Sequence, residues 1–188
     1  MQETLWALCS LWWGSVLYMM QRLLEIDARW SQKVRVAEKP GLLRTLAAIL
    51  AHSGDSWFWL LGLILLYAAG DAYWRWRAQV LAIGIVVTAL VVLVIKFTVR
   101  RRRPDGEWGA IYRKSDPHSF PSGHAVRAIM LAVVITGLGP AWLSLILIVW
   151  APLVALARAA MGVHYLSDVL AGIVLGALMG VLVGVVFW

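Results

Sequence analysis

Lys96 to Pro104 (KFTVRRRRP), Pro121 to His124 (PSGH) and Arg158 to Asp168 (RAAMGVHYLSD) are polar islands in an apolar chain. Together they hold two histidines, one aspartate and a surplus of cations, an inventory suited to moving a phosphoryl group without a metal. Transfer of a phosphoryl group spreads charge over three equatorial oxygens. Arginine's planar fork matches phosphate oxygens two at a time. Lys96, Arg103 and Arg158 can supply three such cations. Pro121-Ser122-Gly123-His124 opens a helix, where free amides and the helix dipole favour an anion. Gly123 allows the backbone to approach closely, and the Ser122 hydroxyl can add a hydrogen bond.

His164 and Asp168 are four residues apart and share a face if a helix has already begun there. The carboxylate can then hold one imidazole nitrogen protonated and aim the other at phosphorus. His124 can protonate the departing oxygen and later activate water. Each member alone has a plainer reading. An interfacial histidine is often a headgroup contact, PSGH is a helix start, and Arg100 to Arg103 can be a topology or lipid-binding signal. It is their order, spacing and position beside membrane segments that point to a site.

These residues must be positioned by helices in a bilayer. Of the 188 residues, 62% are hydrophobic, against roughly 45–50% in a soluble domain, and the mean hydropathy is +0.79. Polar groups in such a setting are costly and therefore functional candidates. No strand-like alternation occurs, so the fold class is all-α, a polytopic membrane helix bundle. Six spans are expected: Leu5 to Met20, Trp57 to Gly70, Ala78 to Phe97, Ala125 to Leu138, Trp142 to Ala157 and Val169 to Trp188. Gln21 to Lys39 alternates apolar and charged residues at helical spacing and reads as an interfacial amphipathic helix, ended by Pro40-Gly41. A further helical stretch runs from Leu42 to His52, and Asp55 or Ser53 is expected to cap the second span. Residues 1–54 thus form an N-terminal unit and 55–188 the catalytic core. The N-terminus reads as a retained first helix, and Cys9 as a small buried apolar residue.

An up-down count of spans puts all three polar clusters on one membrane face. Trp74, Trp76, Trp142 and Trp188 fall at the other, as an aromatic belt would. Gly172, Gly176, Gly180 and Gly184 recur every four residues and let a neighbouring helix approach closely. That approach could fix the His164 and Asp168 side chains just beyond. The net charge of +7 lies beside membrane segments, so anionic headgroups rather than nucleic acid are the expected partner.

The three clusters resemble the signature of the type 2 phosphatidic acid phosphatase family, which shares its site with glucose-6-phosphatase and vanadium haloperoxidases. The family's Lys, six residues, Arg-Pro is matched by Lys96, Arg103 and Pro104, and Pro-Ser-Gly-His by Pro121 to His124. Its Ser-Arg, five residues, His, three residues, Asp is matched by Arg158, His164 and Asp168, with Ala157 in place of the serine. The likeness covers Asp55 onward.

The resemblance implies a lipid phosphatase with His164 as nucleophile, Asp168 as its partner and His124 as general acid. It makes Lys96, Arg103, Ser122, Gly123 and Arg158 the phosphate ligands, with no metal and no cofactor. Substrates would be phosphatidic acid, phosphatidylglycerophosphate, undecaprenyl diphosphate or lipid A types. A lipid phosphotransferase, or a non-catalytic anion-binding scaffold or transporter, fits the same residues. The setting implied is a bacterial inner membrane with the site on the outer face, although the cations crowding that face run against the positive-inside rule. Arg127, one turn after His124, either snorkels to headgroups or meets a second anionic group of the substrate. Arg113, Lys114 and His118 read as a solvated loop.

Overall fold

The computed structural model describes residues 2–113 and 116–187, with side chains from residue 15 onward. The readings placed on Cys9, Lys114 and Trp188 lie outside what is described. Among the described residues eight helices follow one another: α1 (Gln2–Val34), α2 (Leu42–Ser53), α3 (Ser56–Ala69), α4 (Ala72–Val99), α5 (Glu107–Arg113), α6 (Gly123–Leu138), α7 (Ala141–Ala160) and α8 (Leu166–Phe187). Among the described residues the sole strand-like pairing is an isolated bridge between Arg102 and His118.

Five of the expected spans coincide with α3, α4, α6, α7 and α8. By length and composition α4, α7 and α8 can each cross a membrane, and α2 with α3, bent by 52°, pass as a fourth when taken together. The expectation of six spans is thus met by three helices or up to four. At 16 residues α6 extends only about 24 Å, short of a hydrocarbon core of about 30 Å.

The N-terminal region also differs. The expected first span and most of the expected interfacial helix are one continuous 33-residue helix, α1, which ends at Val34 and not at Lys39. Neither Pro nor Gly interrupts residues 15–34, so nothing stops the helix where the composition changes. The polar side of its last turns, Asp27 and Ser31, bonds to the start of α8, while Leu23, Ile26 and Trp30 face outward.

The core is built around α6. Val126, Ala128, Met130, Leu131, Val134 and Ile135 are all buried there, against α4, α7 and α8. The glycine stripe of α8 faces this helix. A Cβ at Gly172 would lie 2.9 Å from Ser122 O, one at Gly176 2.4 Å from Val126 O, and one at Gly180 2.6 Å from Val133 Cβ. Gly172 and Gly176 thus meet α6 backbone, which no side chain there can do without moving a helix. Because Ser122 N also donates to Asp168 O at 3.0 Å, this contact fixes the start of α6 relative to the start of α8.

Candidate active site

All three polar clusters converge at one end of this bundle. Lys96 lies in the last turn of α4 and Arg158 in the last turn of α7. Arg103 follows α4 in a loop, and His164 occupies the turn between α7 and α8. Lys96, Arg103, Arg158, His164 and Asp168 are each 5% exposed or less. Of these, Lys96 and His164 line a cavity of about 270 Å³, whose polar end is formed by Lys96, Asp116, His124, Arg127 and His164 and whose wall is formed by Ile85, Ala89, Val92 and Leu93 of α4. A second cavity of about 220 Å³, between α3 and α4, is lined by Leu60, Leu63, Ile64, Tyr67 and neighbours, away from the histidines.

Arg103 organises the polar end. Its Nη1 donates to Val163 O at 3.0 Å and lies 3.2 Å from His164 Nε2. A guanidinium cannot accept, so Nε2 presents its lone pair and the imidazole proton belongs on Nδ1. Burial first, then the charges of Arg103, Arg158 and Lys96, hold the His164 pKa well below the ordinary histidine value. The ring is therefore neutral at physiological pH, the state a nitrogen nucleophile requires.

His164 and Asp168 do not form the expected hydrogen bond. Nδ1 is 3.7 Å from Asp168 Oδ2 and has no hydrogen-bond partner. The physical reason is that α8 begins only at Leu166, so His164 stands before the helix and the four-residue spacing does not stack the two side chains. Asp168 is instead held by Tyr165 N at 2.9 Å and by Arg101 Nη1 at 2.7 Å. Arg101 continues to Ser167 Oγ at 2.6 Å and to Asp27 Oδ2 of α1 at 2.6 Å, with its guanidinium 4.0 Å from the Tyr165 ring centroid. Asp27 in turn accepts from Ser167 N at 3.0 Å. Of the four consecutive arginines, 101 and 103 turn inward, while the Arg102 side chain is 76% exposed.

Asp116 lies among the cations. Its Oδ2 accepts from Lys96 Nζ and, at 2.7 Å, from Arg103 Nη2, and its carbonyl accepts from Arg103 Nε at 2.7 Å. Burial raises the Asp116 pKa, but Lys96 and Arg103 outweigh it and the carboxyl sits below its usual range. Arg158 Nη1 donates to Tyr112 Oη at 3.1 Å, and its guanidinium stacks 4.6 Å from that ring. Buried Arg158 Nε and Ser122 Oγ have no hydrogen-bond partner, which is unusual for interior polar atoms and typical of a ligand site. Ser122 stands at the N-cap of α6 without a side-chain cap, and the first amides of that helix have no intrahelical acceptor. A Cβ at Gly123 would make only an ordinary 3.5 Å contact with Val92, so the fold itself does not demand glycine there, while the position lines the cavity.

Arg127 neither snorkels nor points to solvent. It donates to Gly54 O at 2.8 Å through Nε, again to Gly54 O through Nη2, and to Ser56 Oγ through Nη1. Asp55, expected to cap α3, makes no cap bond; its Oδ1 is 2.6 Å from His124 Nε2. Arg113 pairs with Asp105 at 3.1 Å, in keeping with a solvated loop. Among the described residues no three of His, Cys, Asp and Glu converge as metal ligands would. Sequence reasoning missed Arg101, Asp27 and Asp116. The one available signal was the position of Asp116, the acid nearest PSGH in the stretch that follows the run of cations.

Buried cations, an unpaired helix start and a neutral histidine, facing a cavity with an apolar wall, define a membrane enzyme of the lipid phosphatase class. Residues 76–188 match the family model described as PAP2 superfamily, and the chain belongs to that superfamily. Decaprenylphosphoryl-5-phosphoribose phosphatase of Mycobacterium tuberculosis is 36% identical over 141 residues, covering 74% of this chain and 77% of the relative. Phosphatidylglycerophosphatase B of Bacillus subtilis is 31% identical over 158 residues, covering 78% and 75%. The crystal structure of a transmembrane PAP2 type phosphatidylglycerolphosphate phosphatase from Bacillus subtilis superposes with a TM-score of 0.71 at 26% identity, covering 86% of this chain and 84% of that one.

Proposed function

We propose that this protein hydrolyses the terminal phosphate of a lipid phosphate or diphosphate through a phosphohistidine on His164. The observation that carries this reading is the neutral, buried His164, whose Nε2 lone pair lies beside Arg103 at the polar end of the cavity. An incoming phosphoryl group takes Lys96 and Arg103 over from Asp116, and the free donors Arg158 Nε and Ser122 Oγ with the α6 amides complete its shell. His164 attacks phosphorus, His124 protonates the leaving oxygen, and water activated by His124 then releases phosphate. A volume of about 270 Å³ accommodates a headgroup phosphate, so the lipid chain lies along α4. Polyprenyl and glycerolipid phosphates, the substrate types named for the relatives above, share this shape.

Phosphate release by purified protein from a panel of such lipids, with His164→Ala as control, tests the reading. Acid-labile phosphoprotein trapped from a labelled substrate must vanish in that variant. Release without any trapped phosphoprotein, even after a rapid quench, would remove the covalent step.

We further propose a bacterial inner membrane with the site on its outer face. A membrane-impermeant maleimide applied to intact cells should label Arg102→Cys in a Cys9→Ser background. Labelling only after lysis would place the site inside.

A further inference from the structure

Building on the phosphohistidine reaction above, we infer that Asp55, in the bend between α2 and α3, is the positioning residue for the proton-transferring His124. The bend belongs to the catalytic apparatus although it lies upstream of residues 76–188, which match the family model.

His124 Nε2 lies 2.6 Å from Asp55 Oδ1, and Asp55 Oδ2 lies 3.1 Å from His52 Nδ1. An aspartate at the N-cap of a helix ordinarily accepts from the first amides of that helix. Asp55 does not, although Asp71 at the start of α4 does. Its carboxylate is committed to imidazoles instead.

Two other helices and α3 itself hold the bend in place. From α6, Arg127 donates to Gly54 O and Ser56 Oγ. From α7, Trp150 Nε1 donates to Ser53 Oγ at 2.8 Å, and from α3 itself Trp59 Nε1 donates to Ser53 O at 2.9 Å. A Cβ at Gly54 would come within 2.9 Å of Val154 Cγ1 and 3.5 Å of His124 Cδ2, so a glycine lets the bend close on the histidine. Arg127 thereby acts on the site through the backbone carrying Asp55.

A carboxylate at Nε2 keeps a proton on that nitrogen and leaves Nδ1 to exchange one. In the first step the imidazolium of His124 gives its Nδ1 proton to the lipid oxygen. The oxygen keeps the electron pair of the breaking P–O bond as His164 Nε2 bonds to phosphorus. In the second step neutral Nδ1 takes a proton from the attacking water, and the pair of the breaking P–N bond returns to His164. Arg158 and Arg127 both face His124 as positive charges, so Asp55 is the anion that supports the imidazolium between the two steps, while His52 is the other group on that anion.

The test uses full-length protein in detergent, with Asp55→Asn, which is nearly isosteric, and thermal melting to verify folding. Two substrates are compared, a long-chain alkyl phosphate and a nitrophenyl phosphate bearing the same chain. A leaving group that needs no proton bypasses a general acid. Asp55→Asn should lower kcat/KM, which reports the phosphorylating step, by roughly 30-fold or more for the alkyl phosphate and by less than about threefold for the aryl phosphate. In a His124→Ala background it should add little, as for two residues acting as one unit. In a pH titration, nitrogen-15 shifts of the His124 ring should show Nε2 protonated throughout and Nδ1 alone gaining and losing its proton in wild type, and a mixture of neutral tautomers in the variant. An equal fall in kcat/KM for both substrates, or an unchanged His124 ring signature, would overturn the assignment. The ring signature needs no turnover, so a wild type inert towards both phosphates would overturn the phosphatase reading separately.

Discussion

The molecule holds its two histidines in opposite ways. His164 is sequestered among cations, and its nearest carboxylate, Asp168, is 3.7 Å away and already bound to Arg101 and a backbone amide. His124 faces the cavity, with Asp55 at 2.6 Å. Cations without a directly bonded carboxylate keep a ring neutral and nucleophilic, while a bonded carboxylate favours a ring that gains and loses a proton. On the proposed mechanism the difference matches each ring to its role through its surroundings rather than through residue type.

The largest effect should come from His164→Ala, which removes the proposed nucleophile and should lower turnover by about four orders of magnitude or more, as loss of a covalent catalyst does. His124→Ala sharpens the contrast. With an aryl phosphate it should accumulate phosphoprotein, because the second step still needs a base; a trapped yield no higher than wild type would break the division of roles.

Arg101→Ala comes next. It leaves Asp168 and Asp27 unpaired, and breaking a buried ion pair costs about 3–5 kcal/mol. Thermal unfolding in detergent should show that loss, with turnover down roughly tenfold or more; unchanged stability would mean that the Asp27–Arg101–Asp168 bridge does not form. Gly176→Leu should fall close behind, since its side chain would press on Val126 O, and overpacking of this kind costs about 1–3 kcal/mol. Activity should fall with it, because the start of α6 carries His124; full activity at wild-type stability would separate the stripe from the site.

Asp116→Asn should act in the opposite direction. Relieving Lys96 and Arg103 of a competing carboxylate should tighten inhibition by inorganic phosphate by about three- to tenfold, read directly as a lower inhibition constant. The smallest effect concerns pH. On the proposed mechanism neutral His164 is the active form, and its pKa is depressed, so loss of kcat/KM through this ring should begin only below about pH 6.5. Lys96→Met removes one depressing charge and should move that limb upward; a downward shift would contradict the placement of the cations.

Much of this was legible from local spacing. The apolar runs marked α3, α4, α6, α7 and α8, and the glycine period marked the α6–α8 contact. Lys96, Arg103, His124, Arg158 and His164 surfaced because their types and intervals suit an anion. What stayed hidden were partners distant in sequence. His124 and Asp55 are 69 residues apart, and Arg101 and Asp27 are 74 apart. No periodicity connects them, because tertiary packing alone brings them together. The His164–Asp168 pair went the other way. Its spacing suggested a helical pair, but the helix starts two residues too late.

The apolar wall of the cavity reaches Leu93, which is itself exposed on the outside of α4. A substrate whose chain rests there is drawn from the two-dimensional pool of the leaflet rather than from bulk water. Its concentration is then a mole fraction. Diluting a fixed amount of substrate with inert lipid slows this enzyme, although nothing in the test tube has become more dilute by volume.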